Sequence, residues 1–560
     1  MKCTLQNICL LGLLCASIST AAADIPKVGL YKVFETQIEN TRAYANKFAD
    51  VNLKVTYTAP SGRQRDFWGF FDGNGSGQGD LATGHVWKLR FMPNELGTWT
   101  YTYQWSDNTP GGQGVFSCIK EGAGKGVLQA YKENPHWFAY NGTEPVWLKS
   151  YYETGHGVIA QDFDWVVENV YSRFLEHGYN HLQVNWLLSL CCFKQYYLDG
   201  PEPGTFDLAL YDEGKASSTM KLNVWHLMEK HLGFLNDQNI GVHMFLGFDG
   251  SRNDGPAWEK LSDSEKEFYV RYVVARIGPY ANIAGWNFVW EVDGDRETHE
   301  LGLARLLRKY DIFEHLRTYE DESPRDNEYD RPEYTFAAVE NHEIAAFTKS
   351  LERTYWKEPW THHMAVIQGY QEKPVYMSEG NALWRRYWHE KAGATQDHLR
   401  RAAWACAVGG ASFNWNGHLK EYELYADGPT GLPFNEANSY TASEKYVDIV
   451  AQVMNNEVAF YRMTPHDELL RQHDAMRVWA LAQTGQQYLV FASHGEPFVL
   501  RLAQGVYPNN VWIDTKTGHK TPVEPIHVQT KDTPVSFAPP SRDTDWVLIL
   551  RTTSPSGKTP

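Results

Sequence analysis

The sequence predicts a multidomain α/β protein, a central (β/α)8 barrel flanked by N-terminal and C-terminal β-sandwich domains. Three observations predict it. The texture of the 560-residue chain changes near residue 122 and again near residue 455. Both outer regions alternate apolar and polar residues with period two between turn signals, and neither carries a helical period. The long middle region alternates strand-like apolar runs with amphipathic helices, the rhythm of repeated βα units closing into a barrel. A doubly wound sheet is the alternative, but no Gly-rich GxGxxG turn follows an early strand. Composition agrees: 42% hydrophobic and 21% charged residues describe a globular chain, and its length suits two or three domains.

Residues 1–23 form a targeting segment. "MKCTLQNICLLGLLCASISTAAADIP" has Lys2, an apolar stretch from Ile8 to Ile18 and small residues at Ala21 to Ala23. This pattern predicts a signal peptide cleaved near Ala23 and a mature chain that is secreted or periplasmic. The stretch is too short to span a bilayer, and no later segment reaches about 18 apolar residues. Cys3, Cys9 and Cys15 leave with the signal, and Leu14 is a poor neighbour for lipid attachment at Cys15. Cys118, Cys191, Cys192 and Cys406 remain, too few for a disulfide scaffold. The pair Cys191–Cys192 is either a vicinal disulfide or, the favoured alternative, two packed thiols.

Residues 24–122 predict the first β-sandwich. "VNLKVTYTAP", "RQRDFWGFFDG", "HVWKLRFMP" and "GTWTYTYQWS" are separated by "SGR", "GNGSGQGD", "NELG" and "NTPGGQG". Residues 123–455 predict the barrel. Its strand candidates are "EPVWLKSYYETG", "YNHLQVNWL", "IGVHMFLGFDG", "GWNFVWEVDGD", "YTFAAVENHE", "KPVYMSEGN" and "GGASFNWNGH". Helices such as "DFDWVVENVYSRFLEHG", "NVWHLMEKHLGFLNDQN" and "DSEKEFYVRYVVARIGPYAN" connect them. Residues 456–560 predict a second sandwich, from "AMRVWALAQ" to "DTDWVLILRTT", packed on the barrel.

Charge and motifs exclude several classes of function. A net charge of -16 repels a phosphate backbone, so nucleic acid is not an expected partner. There is no CxxC pair and no HExxH, so neither a structural zinc nor a metalloprotease is expected, and no cofactor is signalled. The 21 Trp, 32 Tyr and 26 Phe belong mostly to sandwich and barrel cores, but a fraction suits stacking on the apolar faces of sugars.

In a barrel of this kind the C-terminal strand ends carry the functional groups. The first candidate strand ends with Lys149, Tyr151 and Glu153, with His156 beyond. The second carries Asn180, His181, Asn185 and Trp186, and the third ends at Asp249. The fourth ends at Glu291, the sixth at Glu340, Asn341 and His342, the seventh at Glu379. The eighth ends with Asn414, Trp415, Asn416 and His418. At any one such position a cap or turn residue is the common role. Asp293 and Asp295 fit that role, since "VDGD" has turn chemistry and Asp295 can cap a following helix. Glu291 and Glu379 instead follow apolar runs directly, where an unpaired carboxylate is costly to bury. On strands four and seven they stand across the barrel from each other. Two carboxylates across a polar, aromatic-lined cleft are the minimal apparatus for glycosidic hydrolysis, and that reaction needs no cofactor.

These residues also resemble a known family. Glutamates ending strands four and seven of a (β/α)8 barrel look like the retaining glycoside hydrolases of clan A. "YVVARIGPYANIAGWNFVWE", "KPVYMSEGN" and "LRRAAWACAVGGASFNWNGH" resemble the apiosidase-like glycoside hydrolases in particular. The front region is similar to the β-sandwich domain found before such barrels. The tail is similar to the collagen-binding-type domain found after them, a name that does not establish collagen binding. The resemblance implies Glu291 as acid/base and Glu379 as nucleophile. It departs from the clan at Trp290, where the clan has an Asn that contacts the sugar 2-hydroxyl. Asn287 is the candidate substitute, and Asp293 is the fallback acid.

Asn185, Trp186, Asn287, Trp290, His342, Trp415 and Asn416 are the candidate substrate contacts, since amides and aromatic platforms are what sugars require. Arg385 and Arg386 raise an anionic sugar, although a solvated helix start is favoured. The expectation is a secreted retaining glycosidase, without metal or cofactor, acting on an oligo- or polysaccharide of plant or algal cell walls. A non-catalytic carbohydrate-binding barrel and a polysaccharide lyase are the alternatives, and two facing glutamates favour neither.

Overall fold

A computed structural model of the chain describes residues 24–77, 83–153, 162–184, 186–187, 220–246, 262–288, 296–321, 331–340, 372–379, 396–415, 440–473 and 477–552. Its centre runs β1 (Lys149–Glu153), α1 (Phe163–Val166), a π-helical turn (Val167–Tyr171), α2 (Ser172–Glu176), β2 (His181–Val184), α3 (Leu222–Asp237) and β3 (Gly241–Phe245). It continues through α4 (Asp263–Ile277), β4 (Ile283–Phe288), α5 (Arg296–Tyr310), β5 (Arg317–Asp321), β6 (Ala337–Glu340) and β7 (Val375–Glu379). It ends with α6 (Gln396–Gly409), β8 (Ala411–Trp415) and α7 (Tyr440–Gln452). The eight strands pair in parallel with their sequence neighbours, and β1 closes on β8 through Lys149↔Phe413, Ser150↔Asn414 and Tyr151↔Trp415.

Local chemistry starts and stops these elements. Every residue of β4 is buried, as expected of a parallel strand covered on both faces. Helix α4 opens on a capping box: the Ser262 hydroxyl accepts from the Glu265 amide, and the Glu265 carboxylate accepts from the Ser262 amide at 2.7 Å. Asp263 and Glu265 also suit the positive end of the helix. Helix α6 stops at Gly410, whose φ of +97° lies in the left-handed region.

The fifth barrel strand, "RTYED", is absent from the sequence-based set because it is short and charged at both ends. A second difference lies just before the barrel. "EPVWLKSYYETG" is divided between β1 and a short antiparallel sheet built from Leu128–Ala130, Phe138–Tyr140 and Glu144–Val146. Pro145, which has no amide hydrogen, sits in an edge strand of that sheet. Leu128, Phe138, Tyr140 and Val146 join Leu148, Ala284, Leu316 and Phe336 in one apolar cluster. The little sheet thus packs against residues that precede or begin the barrel strands, and closes the barrel from its N-terminal end.

Before it lie a five-stranded and a three-stranded sheet, both drawn from residues 27–119. Aromatic rings bridge them: Phe34 stacks on Phe116 at 3.9 Å, Tyr57 on Phe91 at 4.1 Å, and Trp87 meets Trp105 edge-on at 5.0 Å. After the barrel lie a six-stranded, a three-stranded and a two-stranded sheet. Leu500, Leu502, Tyr507 and Phe537 pack with Val490 and Leu548 of the six-stranded sheet in a core of their own. Other residues of that sheet belong to the barrel's core, and Phe491 stacks on Trp404 of α6 at 6.3 Å.

Buried ions join these layers. Glu229 of α3 accepts from Arg90 at 2.8 and 3.1 Å and also binds Arg276 of α4. Arg90 comes from the strand Val86–Phe91 of the leading sheets and also binds Glu35 at 2.6 Å. Asp72, from the same region, pairs with Arg276 at 2.8 Å, Lys88 at 3.0 Å and His226 of α3 at 2.9 Å. Burial alone would raise the Glu229 carboxyl, but Arg276 and Arg90 outweigh it and draw it down to about 2. Burial likewise opposes Arg276, His226 and Lys88 at Asp72, and these partners win, leaving it below the usual carboxylate range. At the other end, buried Asp545 pairs with Arg400 and Arg401 of α6.

Candidate functional site

Two register irregularities shape the barrel's interior. Between β3 and β4 the pairing runs Val242↔Ile283 and then His243↔Gly285, so Ala284 is an extra residue. Between β6 and β7 it runs Val339↔Met377 and then Glu340↔Glu379, so Ser378 is the extra residue. Paired residues of parallel strands share a face, and faces alternate with period two. Regular pairing would set position 378 opposite position 340. The irregularity sets position 379 there instead.

Which face this is follows from Tyr376. Its hydroxyl reaches Ser150 of β1 at 2.8 Å and Gln183 of β2 at 2.8 Å, strands that do not pair with β7. Such contacts cross the barrel, so Tyr376 and its register partner Ala338 face inward. Position 340, two residues on, has the same parity, and position 379 shares it through the register shift. Glu379 is therefore the last residue of β7, on the barrel-facing register.

Below this level the interior holds a hydrogen-bonded polar layer. Ser150 Oγ lies 2.7 Å from His181 Nδ1, and Asn414 Nδ2 donates to Gln183 Oε1 at 2.9 Å and to the Ser378 carbonyl oxygen. The proton directions follow from Gln183 Oε1, which can only accept. Tyr376 must donate to it, Ser150 then donates to Tyr376, and His181 donates to Ser150 from Nδ1. Burial draws His181 down to about 3, which matches that neutral tautomer. Burial, and then His181 itself, hold His243 well below the ordinary histidine value. Their rings pack against Tyr376, with centroids at 5.1 Å from His181 and 5.3 Å from His243. The layer is uncharged at neutral pH and its members are fixed by one another.

The sequence-predicted residues fall in three groups. Glu379 and Trp415 end β7 and β8. Asn287 is fully buried on β4 opposite Phe245, and Trp186 is fully buried with its ring 6.1 Å from that of His231 of α3. Glu291, Trp290, Asn185, His342 and Asn416 lie outside the described residues, as do Asp293, Asp295, Asp249, Asn341, His418, Arg385 and Arg386, and the pair Cys191 and Cys192. Besides His181 and Asn414, two further polar residues of the strand candidates have structural partners. Asn180 accepts from the Lys149 amide at 3.0 Å and donates to the Trp147 carbonyl at 3.1 Å. Lys149 pairs with Asp448 of α7.

Ser150, Gln183, His243 and Tyr376 were not singled out from the sequence. The available signal is a polar residue at alternate positions inside an apolar strand, as in "HLQV" and "VYMSE". Among the described residues no group of three or more His, Cys, Asp and Glu could hold a metal ion. Cys118 and Cys406 are buried free thiols, and no described helix is long and apolar enough to cross a membrane.

Comparison with known proteins bears on the fold. Residues 27–106 match a domain of unknown function, DUF5060. No curated protein matches the chain significantly. Among solved structures, one similar protein is provisionally named a glycoside hydrolase, from Bacteroides vulgatus ATCC 8482. It is 16% identical with a TM-score of 0.63, over 94% of this chain and all of that one. A second, named glycoside hydrolase, is 17% identical with a TM-score of 0.57, over 77% of this chain and 98% of that one. A third, a glycoside hydrolase family 5 protein from the same B. vulgatus strain, is 18% identical with a TM-score of 0.56, over 76% and 93%. The chain has a glycoside-hydrolase-like fold. At such identities the likeness is one of architecture, and it spans the flanking sheets as well as the barrel in the first case.

Proposed function

We propose that the protein is a secreted retaining glycoside hydrolase that cleaves O-glycosidic bonds of a plant or algal cell-wall polysaccharide. In this proposal Glu379 attacks the anomeric carbon. Glu291 protonates the departing oxygen and then deprotonates the water that releases the glycosyl-enzyme. The observation that carries the proposal is the register shift at Ser378, which gives position 379 the barrel-facing parity at the C-terminal end of β7. The same parity, counted along the sequence from Gly285 and Asn287, reaches 289 and then 291, while Trp290 takes the opposite one. The two carboxyls are proposed to lie about 5–5.5 Å apart, as retention requires.

The fold shared with glycoside hydrolases supports this chemistry over the alternatives. The polar layer supports it physically, since it supplies fixed neutral groups beneath the strand ends. Around the pair, Asn185, Asn287, His342, Trp415 and Asn416 are proposed to form the sugar subsite. The sheets of residues 24–122 and 456–560 are proposed to be β-sandwich domains flanking a catalytic barrel of residues 123–455, and residues 1–23 a cleaved signal.

A panel of purified cell-wall polysaccharides, incubated with the protein and assayed for released sugars, tests the proposal. Release by the wild type, lost in Glu379→Gln and reduced about 10²–10⁴-fold in Glu291→Gln, is expected. Full activity in Glu379→Gln would remove the nucleophile assignment.

A further inference from the structure

We infer that Asn414, acting through its side-chain amide, is a positioning residue for Glu379. The inference rests on the proposed role of Glu379 and extends it to the device that sets that residue's register. The extra residue Ser378 is what turns position 379 to the barrel-facing parity. An irregular residue is held by whatever satisfies its backbone, since it falls out of the regular ladder. Here the Ser378 carbonyl accepts from Asn414 Nδ2, a side chain of the neighbouring strand β8. Asn414 is fully buried, and its other amide hydrogen goes to Gln183 Oε1 at 2.9 Å. Gln183 Oε1 also accepts from Tyr376, two residues before Ser378 on the same strand. The irregular segment of β7 is thus gripped on both sides: at Tyr376 through Gln183, and at Ser378 through Asn414.

A buried network of this kind admits few arrangements of donors and acceptors, so it fixes geometry rather than merely filling space. Asn414 must present an NH2 group to two acceptors. Aspartate in its place, when ionised, sets an oxygen against the Ser378 carbonyl and Gln183 Oε1. When protonated, it restores a single donor. Alanine removes the donor altogether. Misplacing a reacting carboxylate by about 1 Å costs on the order of 10²-fold in turnover, with little effect on substrate binding.

Hydrogen exchange of the segment 375–379 in Asn414→Ala and Asn414→Asp tests the gripping and requires no substrate. Turnover of the polysaccharide found in the screen tests the consequence. Expected are faster exchange at 375–379 with 283–288 unchanged, a fall in kcat of about 10²-fold, and KM within about twofold of wild type. The ratio of Asn414→Asp to wild-type activity should rise as the pH falls, while that of Asn414→Ala stays flat. A merely space-filling role would not produce that contrast. Unchanged exchange at 375–379, or unchanged kcat alongside an inactive Glu379→Gln, would overturn the inference. Full activity in Glu379→Gln would instead overturn the proposed nucleophile, with the exchange result still deciding what holds the strand. Asn414→Asp is nearly isosteric and carries the test should Asn414→Ala fail to fold.

Discussion

A carboxylate placed directly after a buried apolar run was legible in the sequence, because burying it unpaired is costly and therefore informative. Glu291 and Glu379 are singled out that way, and of the two the structure describes Glu379, the last residue of β7. Ser150, Gln183 and Tyr376 are not singled out, because their significance lies in partners on strands across the barrel, and a residue type does not disclose its partner. His181 and His243 make the polar layer measurable. Both have folded-state values below the ordinary histidine one, so the unfolded chain takes up protons that the folded chain refuses. Their contribution to stability is full above about pH 6.5 and is lost as the pH falls below it, for His181 toward about 3. Melting temperature should therefore fall between pH 7 and pH 5, and His243→Phe should flatten part of that slope. Gly410 gives a second residue-scale prediction. A Cβ there would lie 2.0 Å from Nε2 of buried His136, at a φ that already favours glycine. Gly410→Ala should destabilise the protein by about 1–3 kcal/mol in denaturant unfolding.

At the scale of elements, the strands and helices were legible where periodicity was strong. Helix α4 was read from "DSEKEFYVRYVVARIGPYAN"; the structure adds its capping box, and Ser262→Ala should cost about 1 kcal/mol by the same measurement. The fifth strand was not legible, because Arg317 and Asp321 leave it only three residues of pattern. The register shifts were not legible either. Alternation in "VYMSE" sets Ser378 on the face of Tyr376, and only pairing with β6 reveals that Glu379 takes that place. The sequence thus located Glu379, and the pairing of strands supplied the register of that position.

At the scale of the whole molecule, the change of texture along the chain marked a central barrel with sheets before and after it. The ion clusters that join those parts were invisible, since each spans residues far apart in sequence. Glu229 balances Arg90 and Arg276 between the leading sheets and the barrel helices. Glu229→Gln leaves two buried guanidinium groups short of a counter-charge, and a loss of about 3–5 kcal/mol is expected, read by calorimetry. The carboxyls of Glu229, Asp72 and Asp545 are all held below their ordinary range. Their contribution is present above about pH 4 and is lost as the pH falls through the folded values. Acid should therefore act in two stages, the histidine layer first and these clusters below about pH 4. An acid profile without a histidine stage would contradict the buried layer.

The central claim is retaining hydrolysis by Glu379 and Glu291, and the stereochemistry of the first product tests it most directly. Proton NMR of the anomeric centre, recorded early in the hydrolysis of the polysaccharide that the wild type degrades, should show the configuration of the substrate retained. An inverted anomer, or an unsaturated product absorbing in the ultraviolet, would contradict it.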